Sequence, residues 1–257
     1  MTRRITLVGH PFAPIGMGEH LRATFHALRT VGADAWVRDV YDVGGREGDD
    51  AGELRERLLP RLSSDVSIFT LNGDEREPCF RRLGPDLGGA GYRIVYPAWE
   101  LPIYPEPWAR ELEHYDEVWS TSSYTAASLR AAVRRDVRVM PLPCHPRFTR
   151  RFSRRHFGIS ETAYVFVFFF DLTSYVQRKN PYALLEAVGR VRAARPFAEF
   201  QVVMKLGSPN SKPAEAARFR EALKAHGRDV KLIDTSIQTP EGVAPLVTAR
   251  ATVEVAR

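Results

Sequence analysis

The feature that most constrains the fold of this chain is a short apolar run, Tyr164–Phe170, which ends at an acidic residue, Asp171. The run is rich in aromatic and β-branched residues and is too short to cross a membrane, so it predicts a β-strand buried on both faces. A polar loop follows, and from Pro181 onward apolar residues recur at helical spacing. A buried strand that leads through a loop into a helix is typical of a parallel sheet in an α/β fold.

The loop between this strand and this helix carries two cations, Arg178 and Lys179, between Gln177 and Asn180. Open α/β sheets bind ligands at the carboxyl ends of their strands. A helix amino terminus with nearby cations also suits a phosphate group. A surface loop whose Arg-Lys pair is only solvated is the alternative that position alone leaves open.

The wider segment, residues 168–191, reads FFFDLTSYVQRKNPYALLEAVGRV. It closely resembles the loop that opens the second domain of family-four retaining glycosyltransferases, where a phenylalanine-rich strand runs through Asp and Ser to an Arg-Lys-Asn-Pro turn. The resemblance implies a GT-B fold of two Rossmann-like domains with parallel sheets. It also implies that Arg178 and Lys179 hold the diphosphate of a nucleotide-sugar donor.

Near the amino terminus, the strand-like run Ile5–Val8 leads into a loop with Gly16 and Gly18 and then into a helical pattern. The two glycines would let the backbone approach a ligand closely. A tight turn is the alternative, and without a third glycine the pattern disfavours a dinucleotide-dependent enzyme. A similar first loop in the resembled family lies near the donor phosphates and the acceptor, which implies that role for Gly16, Met17 and Gly18.

A second block resembles the same family: residues 92–129, which include the segments YPAWELP and DEVWSTS. Many family members carry a Tyr-x-x-Trp-Glu-x-Pro loop followed by an Asp-Glu-Val-Trp-x-x-Ser strand. The resemblance places Trp99 and Glu100 on the acceptor side of the cleft and Ser122 at another strand end that lines it. Ordinary packing for Trp99 and a helix cap for Ser122 are the alternatives.

Charge and proline content divide the chain. Residues 1–143 carry 18 Lys and Arg against 21 Asp and Glu, whereas residues 144–257 carry 19 against 10. We therefore predict two domains, at 1–143 and 161–257, joined by a linker at 144–160. The resemblance implies that the first is a Rossmann-like acceptor-side domain and the second a partial carboxy-terminal donor-binding domain. The linker holds an arginine cluster that suits either solvent or an anionic membrane surface. No nucleic-acid-binding motif accompanies it.

Several classes of protein are disfavoured by what the sequence lacks. No signal pattern opens the chain and no apolar run approaches the roughly 20 residues of a spanning helix, so we expect a cytoplasmic protein. Cys79 and Cys144 lack metal-ligand spacing and form no disulfide framework. We expect neither a metal nor a cofactor, with the nucleotide sugar acting as a substrate.

The family pattern continues with a strand, a Glu-Gly-Phe-Gly loop and a second glutamate in an E-x7-E arrangement, none of which occurs in these 257 residues. Those glutamates contact the donor sugar and ribose in the family, so the resemblance assigns no catalytic residue here and implies an incomplete second domain. Two functions follow. One is a hexosyltransferase that acts with retention on a glycan, lipid or small-molecule acceptor. The other is a non-catalytic, truncated homologue that acts as a binding subunit or partners a complete transferase.

Overall fold

The structure is a computed structural model that describes residues 3–13, 15–42, 49–144, 153–172 and 175–234. The chain forms two compact units, Met1–Pro146 and Arg147–Arg257, which divide inside the predicted linker. Within the described residues, each unit contains a parallel sheet, of six strands in the first and three in the second. The predicted fold class, α/β with two Rossmann-like sheets of which the second is smaller, is confirmed.

In unit 1 all neighbouring strands are parallel, in the order β2-β1-β3-β4-β5-β6. The strands are β1 (Arg4–Gly9), β2 (Asp34–Asp39), β3 (Val66–Phe69), β4 (Tyr92–Val95), β5 (Glu117–Ser120) and β6 (Asp136–Val139). The helices are α1 (Gly16–Thr30), α2 (Asp49–Glu56), α3 (Arg76–Leu83), α4 (Glu106–Leu112) and α5 (Ser123–Ala132).

Successive residues of the central strands belong to different hydrophobic cores, because side chains alternate between the two faces of a sheet. Leu7 and Ile68 pack with Leu21 and Phe25 of α1. On the opposite face of the sheet, apolar residues from α3, α4 and α5 pack with the strand residues Val8, Phe69 and Val95. Both faces are therefore covered, as in doubly wound folds.

One helix of unit 1 is shorter than its leucine spacing predicts. The spacing of Leu54, Leu58 and Leu62 predicts one helix through all three, but α2 ends at Glu56. Leu58 instead forms a parallel bridge with Val37 of β2. Extension of the edge of the sheet therefore takes Leu58 out of the helix.

In unit 2 the strands are also parallel and follow chain order. They are β7 (Tyr164–Asp171), β8 (Phe200–Gly207) and β9 (Val230–Asp234). The helices are α6 (Val176–Lys179), α7 (Pro181–Ala194) and α8 (Pro213–Leu223). The sequence pattern also predicts a helix at 240–250 and a short strand at 251–256, and both lie outside the described residues.

The prediction that the Tyr164–Phe170 strand is buried on both faces is wrong. Tyr164 is 54% exposed, Phe166 51% and Phe169 47%. Among the described residues β7 pairs only with β8, and α7 and α8 pack with one face of the sheet. The aromatic content of β7 therefore reflects a strand of which only part is covered.

The polar loop predicted at Gln177–Asn180 is also different in the structure. Residues Val176–Lys179 form one short helical turn, and Asn180 adopts a left-handed conformation with φ of 51°. The side chain of Asn180 accepts a hydrogen bond from the backbone N–H of Ala183 at 3.3 Å and so caps α7. The predicted helix start at Pro181 is confirmed.

Candidate functional site

Unit 1 has a topological switch point between β1 and β3. The chain leaves β1 through α1 to reach β2 on one side, and β3 lies on the other side of β1. Open α/β sheets bind ligands in the crevice at the carboxyl ends of two such strands. The residues that follow β1 and β3 are therefore the first place to look for function in this unit.

A histidine-carboxylate pair occupies this switch point. His10 follows β1 directly, and its Nε2 lies 2.7 Å from Oε1 of Glu75, which lies beyond the end of β3. The other carboxylate oxygen, Oε2, accepts a hydrogen bond from the backbone N–H of Asn72 at 2.8 Å. Burial opposes ionisation of Glu75, but its hydrogen bonds with His10 and Asn72 outweigh burial and hold the pKa of Glu75 below its ordinary value.

The imidazole of His10 is only 5% exposed and is held on several sides. Its ring stacks on Tyr41 with centroids 4.4 Å apart, and the hydroxyl of Tyr41 donates to the carbonyl oxygen of Glu75. Within the described part of the chain, Nδ1 of His10 is buried and has no hydrogen-bond partner. With Nε2 bonded to a carboxylate, Nδ1 is the nitrogen left to accept a hydrogen bond.

The structure separates the roles of the predicted glycines. A Cβ on Gly18 would lie 2.3 Å from the carbonyl oxygen of Ala13 and 2.9 Å from that of His10, so Gly18 allows the loop to pack on α1. Gly16 is exposed and has open space where a Cβ would stand. Met17 is buried, at 6% exposure. Of the three, Gly16 alone leaves room for a ligand to approach the backbone.

Trp99 and Glu100 lie in the loop that follows β4, at the same carboxyl edge of the sheet. The ring of Trp99 packs edge-on against Tyr104 and Trp108, with centroids 5.1 and 5.7 Å away. Glu100 is exposed. The contacts of Trp99 are those of a packed core residue, although its Nε1 is buried without a hydrogen-bond partner among the described residues.

Ser122 lies after β5 and acts as a helix cap. Its Oγ accepts a hydrogen bond from the backbone N–H of Thr125 at 3.2 Å, at the start of α5. The hydroxyl of Thr125 in turn donates to the carbonyl oxygen of Trp99 at 3.2 Å. Ser122 therefore caps α5, Thr125 joins α5 to the loop after β4, and neither contact needs a ligand.

The carboxyl edge of unit 2 joins the ends of β7 and β8. Ser208 donates from its hydroxyl to Oδ2 of Asp171 at 2.9 Å. A Cβ on Gly207 would lie 2.3 Å from that same oxygen, so a larger residue there would have to displace the carboxylate of Asp171. Lys205 is half-buried near this point; burial lowers the pKa of its amine, and the charge of Asp171 partly offsets that effect.

Arg178 and Lys179 lie at this edge, in the helical turn between β7 and α7. Both side chains are exposed. The left-handed Asn180 separates them from Pro181, the first residue of α7. The two cations therefore stand next to a helix amino terminus, where the aligned peptide dipoles favour a negatively charged ligand.

The sequence alone did not single out His10, Glu75 or Glu215, a residue of α8. His10 could have been noticed because it follows a predicted strand directly. Glu75 stands three residues after Asn72, at the spacing of a capping box. Nothing local marks Glu215, whose surroundings come from a different helix.

The described residues include no group of three or more His, Cys, Asp or Glu side chains placed to hold a metal ion. None of the helices within the described ranges combines the length and hydropathy needed to cross a membrane.

No protein-family model matches this chain, and no curated protein matches it. Among solved structures, it is similar to UDP-N-acetylglucosamine 2-epimerase from Rickettsia bellii, with 9% identity, 91% of this chain and 69% of that chain covered, and a TM-score of 0.49. It is also similar to MurG from Acinetobacter baumannii, with 10% identity, 90% and 65% covered, and a TM-score of 0.39. The chain is also similar to a protein of the GtfA/B complex, with 13% identity, 67% of this chain and 35% of that chain covered, and a TM-score of 0.39.

The chain thus spans about two thirds of the length of two of these proteins and about one third of the other. These identities and TM-scores are too low to assign the chain to any of the three.

Proposed function

We propose that this chain is a glycosyltransferase of the GT-B type, which transfers a hexose from a nucleoside-diphosphate sugar to an acceptor with retention at the anomeric carbon. The observation that carries the proposal is the position of Arg178 and Lys179 at the carboxyl edge of the unit 2 sheet, directly before the amino end of α7. The resemblance of residues 168–191 to the donor loop of family-four enzymes supports the same assignment.

The chemistry requires stabilisation of a departing nucleoside diphosphate, which gains negative charge as the bond between its phosphate oxygen and the anomeric carbon breaks and the acceptor takes its place. Arg178 and Lys179 supply charge-assisted hydrogen bonds to phosphate oxygens, and the start of α7 supplies a favourable dipole. In this proposal the acceptor binds at the unit 1 switch point. There, Nδ1 of His10 has no hydrogen-bond partner among the described residues. In this proposal the charges of the protein itself replace a metal ion at the diphosphate.

The first test is a thermal-shift series with UDP- and GDP-hexoses. A ligand at 100 times its dissociation constant stabilises the folded state by about 2.7 kcal/mol, and Arg178→Ala/Lys179→Ala is expected to remove that shift. A dye or calorimetric signal is needed, because all four tryptophans lie in unit 1. Arg190→Gln is the matched control, since Arg190 is a 79% exposed arginine of α7 that pairs with Glu186.

Two results would count against the proposal: no shift with any nucleotide sugar, or the same shift in the double variant. If a donor binds, the anomeric coupling constant of the product, measured by proton NMR, decides between retention and inversion.

The second candidate is a non-catalytic homologue that binds a partner transferase. Exposed aromatic residues on β7, Tyr164 and Phe166 among them, favour it because a partner could cover them. Turnover by the isolated chain with any donor would eliminate this candidate.

A further inference from the structure

A cavity of about 430 Å³ lies in unit 2 between the amino ends of α7 and α8. Both helices begin just after a strand, so the cavity lies on the side of the unit where the carboxyl ends of β7 and β8 meet. Pockets for small ligands begin at roughly 300 Å³, so this cavity can hold a single sugar or nucleoside. It is lined by Val176, Gln177, Asn180, Tyr182, Glu215 and Arg218.

Glu215 is the most informative of the lining residues. Its Oε2 is buried and has no hydrogen-bond partner among the described residues. Lys212 is the nearby cation, but its Nζ lies 3.8 Å from that oxygen, beyond hydrogen-bond distance. The Glu215 side chain is 33% exposed as a whole, but this oxygen has neither solvent nor a donor, and such a buried acceptor is costly. An ionised carboxylate can only accept, so a ligand that satisfies it must present hydroxyl or N–H groups.

The other residues that line the cavity suit a polar ligand with one flat face. The Oδ1 of Asn180 is occupied by the N–H of Ala183, which leaves its amide NH2 to donate. Tyr182 is 42% exposed and presents an aromatic ring, packed edge-on against Phe219. Arg218 adds a cation. Carboxylate, amide and aromatic groups together suit a sugar ring that carries a phosphate.

We propose that this cavity binds a hydroxyl-bearing sugar ring of the nucleotide-sugar donor, with Glu215 accepting hydrogen bonds from adjacent hydroxyls. This inference rests on the proposed function, because Gln177 and Asn180 line the cavity and directly flank Arg178 and Lys179 in the chain. A ligand whose diphosphate lies on those cations can then place one of its rings against α8. The ribose and the hexose of the donor share this chemistry.

The test compares Glu215→Gln with Glu221→Gln by isothermal titration of the full chain with UDP, 2′-deoxy-UDP and UDP-glucose. Glu221 is a matched control because it lies on α8, is 70% exposed and pairs with Lys224. Loss of hydrogen bonds to a charged acceptor is expected to weaken UDP-glucose binding about tenfold to a hundredfold in Glu215→Gln. Glu221→Gln is expected to stay within about twofold of the wild type.

The nucleotides distinguish the two rings. If Glu215 binds the ribose, Glu215→Gln weakens UDP binding and has little effect on 2′-deoxy-UDP. If it binds the hexose, the loss is confined to UDP-glucose. Gln177→Phe, which fills the cavity from an exposed position without changing charge, is expected to reproduce the loss. Circular dichroism checks that each variant is folded.

Unchanged affinities in Glu215→Gln and Gln177→Phe, with binding still lost in Arg178→Ala/Lys179→Ala, would overturn this inference and leave the proposed function standing. An equal loss in Glu221→Gln would overturn it as well. If the wild-type chain binds none of these three nucleotides and binds neither GDP nor a GDP-hexose, the proposed function is overturned, and this inference with it.

Discussion

Replacing Glu75 by glutamine tests whether the His10 pair organises the switch point of unit 1. The two carboxylate oxygens of Glu75 are bonded separately, Oε1 with Nε2 of His10 and Oε2 with the N–H of Asn72. Glutamine has the same shape but only one acceptor oxygen. In Glu75→Gln, one of the two donors must therefore lose its partner.

The loss of one hydrogen-bond partner sets the expected decrease in the free energy of unfolding. His10 is 5% exposed and the Glu75 side chain 22%, so solvent replaces the lost partner poorly. A buried donor left without a partner costs about 1–3 kcal/mol, and we expect Glu75→Gln to destabilise unit 1 by about 2 kcal/mol at pH 7. At a urea m-value of about 2 kcal/mol/M, the unfolding midpoint falls by about 1 M.

The effect also has a defined pH dependence. The folded-state pKa of Glu75 lies below its ordinary value of 4.5. Its stabilising contribution is therefore present above pH ~4.5 and is lost as the pH falls through the folded-state pKa. The difference between wild type and Glu75→Gln is expected to be constant near neutral pH and to shrink below pH ~4.

Tryptophan fluorescence during urea unfolding measures this change in unit 1 alone, because all four tryptophans lie there. Glu77→Gln is the control: Glu77 is a nearby exposed residue paired with Arg81, and its loss is expected to cost less than about 0.5 kcal/mol. The reasoning is refuted if Glu75→Gln and Glu77→Gln have the same midpoint, or if the Glu75→Gln deficit persists unchanged at pH 3.

Two further variants test unit 1 by the same fluorescence assay. Gly18→Ala places a Cβ 2.3 Å from the carbonyl oxygen of Ala13, and we expect it to lower the free energy of unfolding by about 2 kcal/mol or more. Gly16→Ala places its Cβ in open space, and we expect it to be neutral or slightly stabilising. Equal effects of the two variants would contradict the different roles assigned to the two glycines. Burial lowers the pKa of His20 from 6.5 to about 4. Between these two pH values the unfolded chain binds one proton more than the folded chain, so the free energy of unfolding falls as the pH drops. His20→Phe, which keeps a ring against Tyr96, is expected to remove up to about 3 kcal/mol of that fall, and an unchanged pH profile between 6.5 and 4 would contradict the burial effect.

The candidate site was only partly predictable from the chain. Arg178 and Lys179 were found because a strand, two cations and a helix-opening proline are adjacent in sequence. His10 and Glu75 are 65 positions apart and meet because β1 and β3 are neighbours in the sheet. Glu215 could not be linked to the donor loop, since α8 reaches the cavity through packing on β8 and α7.

The sequence by itself determined the order of strands and helices, the parallel α/β class and the helix start at Pro181, because these depend on local periodicity, proline geometry and capping. Only the tertiary structure decided which strands are neighbours, which face of β7 is covered, and which polar atoms lack partners. Those properties depend on contacts between segments far apart in the chain, and hydrophobic spacing is the same for a strand covered on both faces and one covered in part. The aromatic run Tyr164–Phe170 illustrates the difference: its residues predicted a strand correctly but predicted its burial wrongly.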